Sequence, residues 1–162
     1  MATARSRRRF LLLAGSCVAV LAGCSGLPRD AQGTLERATG GTLFVGACEN
    51  EPWTAIGADG SVRGTEAGLI QKFAASIDAT IRWEAAAMSD LVTMMKNNEL
   101  DLVIGGLTDD TPWSDRISPT RPYQEAPDLD GSMKKMVIGV RPGENALQVS
   151  LERFLAEDAG EL

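Results

Sequence analysis

The feature that most constrains the fold of this chain is the spacing of its short apolar segments. Segments Thr42–Gly46, Thr80–Ala85 and Leu100–Gly106 are apolar or alternate apolar with polar residues, so each is a candidate strand. The stretches between them, Glu66–Ile77 and Ser89–Asn98, place apolar residues along one face of a helix. Strands and helices in this alternation form a βαβαβ unit with parallel strands. The sequence therefore predicts an α/β domain built on a mostly parallel sheet with flanking helices.

The N-terminus carries a separate pattern. Four arginines precede the uncharged stretch Phe10–Ala22, whose 13 residues are too few to cross a hydrocarbon core of about 30 Å as a helix. A basic head followed by a short apolar body is typical of a secretory signal peptide. Leu21-Ala22-Gly23-Cys24 resembles the lipobox of bacterial lipoproteins, in which the chain is cut before the cysteine and the cysteine is acylated, palmitate being one such acyl group. The alternative is an uncleaved membrane helix, and both general secretory and twin-arginine export remain open.

The rest of the chain contains a further strand, Met136–Val140, and a last helix that begins near Asn145. The residues from Thr108 to Gly131 are rich in Asp, Pro and Thr and are predicted to form a long loop. The expected segments are a signal peptide over residues 1–23, a tether over 24–41, a single α/β lobe over 42–156 and an acidic tail over 157–162.

Charge and composition exclude several classes of function. The net charge of −6 becomes −10 when the first 23 residues, with four arginines and no acid, are removed, and this argues against a nucleic-acid partner. The absence of histidine removes the common general base and most zinc sites. No serine-nucleophile elbow or dinucleotide fingerprint is present either. We expect no catalytic residue, no metal and no cofactor.

The order of six short segments carries a resemblance to a known family. They are Thr42–Ala47, Pro52-Trp53, Gly64–Leu69, Asn97–Asp101, Leu102–Thr108 and Thr120–Tyr123. Together they are similar to the first lobe of type II periplasmic solute-binding proteins of the amino-acid-binding type, which deliver solutes to ABC transporters. The resemblance implies an extracytoplasmic protein, in the periplasm or at the cell surface, with an ABC permease as a possible partner.

Two departures from that family bear on function. In the family the chain leaves the first lobe after the Pro-Tyr motif to build a second lobe, whereas here Met136 follows within 13 residues of Tyr123. We therefore expect a single lobe with half of a binding site, which a homodimer could complete. The family also has an arginine, for the ligand carboxylate, about five residues after the position of Thr108; here position 113 is Trp113 and the nearest arginine is Arg116.

Five residues are the candidates for solute contact. Trp53 and Trp113 lie in loops at the edge where open α/β sheets bind ligands, and aromatic rings suit stacking or a cation; the alternative is that both cap the edge of the sheet. Thr108 follows a glycine pair and offers a hydroxyl, although turn formation is an equal explanation. Glu66 is the acid available for an ammonium group, and Arg116 is the available cation.

The leading hypothesis is a lipid-anchored, solute-binding component that binds a small polar solute weakly, such as an amino acid or a cationic or aromatic compound. The alternative is an accessory lipoprotein that keeps the lobe as a protein-binding scaffold, in which case an exposed apolar face is expected. A truncated, non-functional gene product is a third possibility. The sequence does not identify the solute.

Overall fold

A computed structural model describes residues 28–128 and 131–159 of the 162-residue chain. The predicted signal peptide and the predicted lipidation site, Cys24, lie outside the described residues. The helices and strands within them are α1 Thr34–Ala38, β1 Thr42–Ala47, β2 Ala55–Ile56, β3 Val62–Arg63, α2 Thr65–Ser76, β4 Thr80–Ala85, α3 Met88–Lys96, β5 Leu102–Thr108, β6 Ser118–Pro119, β7 Gln124–Pro127, β8 Met133–Val140 and α4 Asn145–Ala159.

The central sheet has the strand order β4-β1-β5-β8-β6, and β7 also pairs with β8. Strand β1 lies parallel to both β4 and β5, which confirms the predicted βαβαβ core. Strands β6, β7 and β8 extend this core with antiparallel pairs. The small β2–β3 hairpin forms a separate sheet.

Two hydrophobic clusters cover the two faces of the sheet, because neighbouring strand residues point to opposite sides. On β5, Leu102 and Ile104 belong to the cluster beneath α2 and α4, whereas Val103 belongs to the cluster beneath α3. All three side chains are fully buried. The near-continuous apolar sequence of β5 follows from this burial on both faces.

The predicted loop between Thr108 and Gly131 is wrong in part, because it contains β6 and β7. Both are short strands held by backbone pairing to β8, with Ser118 opposite Val140 and Gln124 opposite Met136. A pairing made with a distant strand leaves no periodic apolar pattern in the local sequence. Strand β7 then returns directly into β8 through a turn closed by hydrogen bonds from Asp128 N to Ser132 O and from Gly131 N to Asp128 O.

The expectation of a tether over residues 24–41 is wrong for the residues from Asp30 onward. The Asp30 carboxylate accepts a 2.7 Å hydrogen bond from Leu35 N in α1 and a 2.9 Å bond from Leu147 N in α4. One side chain thus caps two helices. Thr34 and Ala38 of α1 are fully buried, so this segment is part of the folded lobe.

A buried ionic cluster reinforces the same segment. Asp101, nearly fully buried, accepts two 2.6 Å hydrogen bonds from Arg37 and a 3.0 Å bond from Phe44 N. Arg141 approaches the same carboxylate at 3.4 Å and donates to the Thr34 hydroxyl. Buried charges in proteins are normally paired in this way.

The C-terminal boundary also differs from the expectation. Helix α4 continues to Ala159, so residues 157–159 of the predicted acidic tail are helical and belong to the lobe. An exposed 2.8 Å ion pair between Lys72 of α2 and Asp158 holds this last turn against the lobe. None of the helices in residues 28–128 and 131–159 combines the length and apolar character needed to cross a membrane.

Candidate functional site

The candidate site lies where the parallel strands β1 and β5 end. Loops that follow such strands meet at one edge of an open α/β sheet and are the usual place for a ligand. Here the loop after β1 carries Asn50 and Trp53, and the end of β5 carries Gly105, Gly106 and Thr108. The structure therefore brings two of the predicted residues, Trp53 and Thr108, to this edge.

A two-glycine bulge shapes the end of β5. Val103 is opposite Gly139 and Leu107 is opposite Val137, so four steps along β5 match two along β8. The two extra residues are Gly105 and Gly106, with φ angles of 149° and 68° that favour glycine. A side chain at Gly106 would meet Asn50 and the Trp53 ring, and one at Gly105 would meet Cys48. The bulge thus allows the loop after β1 to approach the β5 backbone closely.

The bulge turns two backbone N–H groups out of the sheet and toward Glu66. The Glu66 carboxylate lies fully buried in the first turn of α2. Its Oε2 accepts hydrogen bonds from Gly105 N at 2.8 Å, Gly106 N at 2.9 Å and the Thr54 hydroxyl at 2.9 Å. This one side chain therefore ties the start of α2 to β5 and to the loop after β1.

The second carboxylate oxygen of Glu66 accepts a 2.8 Å hydrogen bond from the buried Tyr123 hydroxyl. Burial is the main cause that raises the pKa of Tyr123 well above its ordinary value of 10.0, and the adjacent Glu66 charge raises the pKa further. Because its carboxylate accepts four hydrogen bonds from the protein, Glu66 holds β5, the loop after β1 and Tyr123 together at this edge. Contact of Glu66 with a solute ammonium group stays a prediction.

Trp53 sits on the bulge in a half-buried position. Its carbonyl accepts a 3.1 Å hydrogen bond from Glu66 N, and its ring packs against the cluster beneath α2. Asn50 holds the same loop by donating from Nδ2 to Gly105 O at 3.1 Å and by exchanging backbone bonds with Thr54. The position of the Trp53 ring is therefore set by the glycine bulge and the start of α2.

Thr108 is the last residue of β5, and its side chain belongs to a cluster of polar side chains that faces solvent. Its hydroxyl donates a 2.6 Å hydrogen bond to Asp110, whose other oxygen accepts a 2.5 Å bond from Lys134 of β8. The Lys134 bond, followed by the Thr108 bond, lowers the pKa of Asp110. The Thr108 side chain thus takes part in a turn, which is the second of the two roles that the sequence left open. Because the hydroxyl proton is donated to Asp110, a solute at this position would meet the hydroxyl as an acceptor or compete with Asp110 for it.

Trp113 and Arg116 form a second pair in the turn after β5. The Arg116 guanidinium lies 5.9 Å from the Trp113 ring centroid, a cation–π distance. Arg116 is exposed and also lies 3.6 Å from Asp115. The pair places a cation three residues from the position where the family has its arginine.

The two predicted tryptophans do not pack together. Trp53 contacts the cluster on the α2 face of the sheet, whereas Trp113 contacts the cluster on the α3 face. The edge is therefore bounded by an aromatic ring on each side. Within the described ranges, no three Cys, Asp or Glu side chains form a group that could hold a metal ion.

Sequence reasoning missed three residues that organise the site: Asn50, Tyr123 and Asp110. Tyr123 was visible as part of the family motif Thr120–Tyr123, but its role depends on a contact 57 positions away. No local pattern distinguishes Asn50 or Asp110 from other loop residues.

Comparison with known proteins places these features in a family. The model of the bacterial extracellular solute-binding proteins, family 3, matches residues 43–157. No curated protein matches the chain. The matched residues include the glycine bulge, Glu66 and both loop tryptophans.

Solved structures share the fold at low sequence identity. The arginine-bound domain 1 of TmArgBP, from T. maritima, aligns with a TM-score of 0.65 at 21% identity, covering 75% of this chain and 97% of that one. A Salmonella typhimurium periplasmic binding protein with high arginine specificity aligns at 0.63 and 13% identity, covering 74% of this chain and 94% of that one. An ancestral amino acid-binding protein, described as a precursor of cyclohexadienyl dehydratase, aligns at 0.66 and 14% identity, covering 76% and 92%.

Proposed function

The chain belongs to the bacterial extracellular solute-binding proteins of family 3, and on that basis we propose that it is a single-lobe, lipid-anchored binding component of an ABC transporter. It would bind a small polar solute at the edge formed by β1 and β5. The observation that carries this proposal is the glycine bulge at Gly105–Gly106, which Glu66 anchors and which sets Trp53 beside the exposed end of β5. Such a fixed edge is suited to ligand contact.

The chemistry of the edge favours a planar or cationic solute. Trp53 and Trp113 offer ring faces on the two sides of the sheet, and Asp110 adds a carboxylate beside Thr108. Arginine is the first solute to test, because structures with the same fold were solved with arginine bound. Trp113 in place of the family's arginine weakens the case for a tightly held carboxylate, and Arg116 is the replacement.

A single lobe predicts weak binding. A solute on one edge keeps much of its surface in water, whereas a closed cleft buries most of it. The turn from β7 into β8 supports the single-lobe proposal, because these strands are joined by residues 128–132 and pair with each other along Gln124–Pro127. A face-to-face homodimer would offer a second wall.

The membrane attachment rests on the sequence. The basic head, the apolar body and Cys24 support export and acylation, and the extracellular character of the family agrees with export. An ABC permease is the proposed membrane partner.

Two rival functions have less support. The scaffold alternative requires an apolar docking face, yet among the described residues Met133 is the one large hydrophobic side chain that is exposed, at 58%. Enzymatic activity is relevant because one similar fold is described as a dehydratase precursor. The edge described here holds no histidine and no thiol with a base, and we propose a non-enzymatic role.

The test is calorimetric titration of the purified chain with the twenty amino acids and with small organic cations. We expect arginine or another planar cation to bind, and we expect Trp53→Leu and Trp113→Leu to weaken binding about tenfold through loss of cation–π attraction. Trp83→Leu is the matched control, because Trp83 lies on β4 away from this edge. A folded chain that binds no solute in the panel would refute the proposal.

A further inference from the structure

Strand β4 is an open edge of the central sheet. It lies at the end of the strand order and pairs on one side with β1. Of its six residues, four are exposed and two, Ile81 and Trp83, are half-buried. An uncovered edge presents a row of backbone N–H and C=O groups to any strand that can pair with it.

The backbone orientation of β4 identifies which residues face outward. Thr80 N donates to Gly41 O, and Ala86 N donates to Ala47 O, so even-numbered residues point their backbone groups toward β1. N–H and C=O groups alternate in direction along a strand. Ile81, Trp83 and Ala85 therefore present their backbone groups at the open edge.

The side chains of β4 divide between the two faces. Ile81 and Trp83 pack against the cluster beneath α2, whereas Arg82 and Glu84 line a groove on the α3 face together with Phe44 and Met94. Within residues 28–128 and 131–159, neither Arg82 nor Glu84 forms an ion pair or a side-chain hydrogen bond. The edge thus carries one unpaired cation and one unpaired anion on either side of Trp83.

We propose that β4 pairs antiparallel with β4 of a second copy of this chain, about a two-fold axis at Trp83. In this register Trp83 faces Trp83 of the second copy, and Ile81 faces Ala85. These are the outward-facing residues, so the three facing pairs would form about six backbone hydrogen bonds. The two sheets become one continuous sheet through an isologous interface.

The charges select this register over its neighbours. With the axis at Trp83, Arg82 lies opposite Glu84 of the second copy, and this occurs twice. These are non-hydrogen-bonded pairs, whose Cα atoms are about 4.5 Å apart and whose side chains are in closest contact. An axis at Arg82 would place two arginines opposite each other, and an axis at Glu84 would place two glutamates opposite each other.

Charged residues on an edge strand usually prevent pairing with other proteins. Here the charges oppose pairing with most strands but complement a second copy of β4, so the same residues provide specificity. The antiparallel arrangement places the two solute-binding edges at opposite ends of the joint sheet. This dimer therefore does not complete the solute site, and its existence is independent of the proposed function.

The test is a charge exchange followed by sedimentation of the full chain in a mild detergent. We expect the parent chain to form a dimer, and we expect Arg82→Glu alone or Glu84→Arg alone to weaken it about tenfold or more, because each creates two like-charge pairs. The double variant Arg82→Glu/Glu84→Arg should restore the dimer. Arg153→Glu makes the same change of charge at an exposed position on α4. It is the matched control and should leave the dimer unchanged.

A second measurement reports the register directly. Backbone hydrogen exchange at Ile81, Trp83 and Ala85 should slow as the protein concentration rises, and it should not slow in Arg82→Glu. A parent chain that is monomeric at every soluble concentration overturns the proposal. A dimer that is insensitive to the single exchanges, or that the double variant fails to restore, overturns it as well.

Discussion

The hydroxyl of Tyr123 donates a 2.8 Å hydrogen bond to the buried carboxylate of Glu66, 57 positions earlier in the chain. Through this bond the segment that leads into β7 is fixed to the start of α2. The same carboxylate holds the N–H groups of Gly105 and Gly106. The proposed solute-binding edge is thus organised around one buried acid.

Tyr123 should stay protonated in the native protein well above pH 10. Burial and the Glu66 charge raise its folded-state pKa above the ordinary value of 10.0, so the unfolded chain releases this proton first. The free energy of unfolding should therefore be unaffected by Tyr123 below pH 10 and fall by about 1.4 kcal/mol per pH unit above it. Because Tyr123 is the one tyrosine in the sequence, tyrosinate absorbance should appear together with unfolding. A native protein that ionises near pH 10 would contradict this.

Removal of the Glu66 carboxylate should destabilise the lobe strongly. Glu66→Ala leaves the N–H groups of Gly105 and Gly106 and two hydroxyls without their acceptor, and we expect a loss of about 3–5 kcal/mol in urea unfolding. Glu66→Gln keeps one acceptor oxygen for the glycine N–H groups and should lose roughly half as much. Glu36→Ala, at an exposed position in α1, is the control and should change stability little. Equal losses for the Ala and Gln variants would argue against the acceptor role.

Two glycines should respond in opposite directions to alanine. Gly106→Ala forces a side chain into Asn50 and Trp53 at a positive φ, so we expect a loss of about 2 kcal/mol or more. Gly68→Ala lies in α2, where no atom within 4 Å obstructs the new methyl group, and should gain about 0.5–1 kcal/mol. Thermal unfolding of the two variants checks both signs. A neutral Gly106→Ala would show that the loop after β1 does not depend on the close approach.

Asp30 should contribute to stability although it lies in a segment whose sequence suggests a tether. Asp30→Ala removes the caps of α1 and α4 together, and we expect a loss of about 2 kcal/mol in urea unfolding. Asp30→Asn keeps an oxygen acceptor and should lose less. Asp109→Ala, at an exposed aspartate in the turn after β5, is the comparison. A loss for Asp30→Ala no larger than for Asp109→Ala would support the tether.

The parallel core was accessible from sequence because its information is local. Strands β1 and β5 are apolar along most of their length, β4 alternates apolar and polar residues, and α2 shows its buried face in the spacing of Leu69, Ile70 and Phe73. The sequence of α1 does not reveal its place in the lobe, because five residues with two charges show little periodicity. Asp30 links α1 to Leu147 of α4, and Asp101 links it to the sheet through Arg37; both links join residues far apart in the chain.

The candidate site also combines features that local sequence indicates with features that depend on distant contacts. The structure brings Trp53 and Thr108 to the edge that the sequence indicates for them, because loops after parallel strands converge there. The burial of Glu66 was not accessible, since an acid in the first turn of a helix is ordinarily exposed and favourable there. Its surroundings are supplied by Thr54, Tyr123 and the glycine bulge.

The sequence by itself determined the family, the parallel core and the aromatic residues at its edge, because these depend on residue type and on spacing within short segments. The tertiary structure alone decided that Glu66 is a buried acceptor, that Asp30 and α1 belong to the lobe, and that β4 is left as an open edge. These properties arise from hydrogen bonds and strand pairings between residues distant in sequence, and such pairings form only when the chain has folded around them.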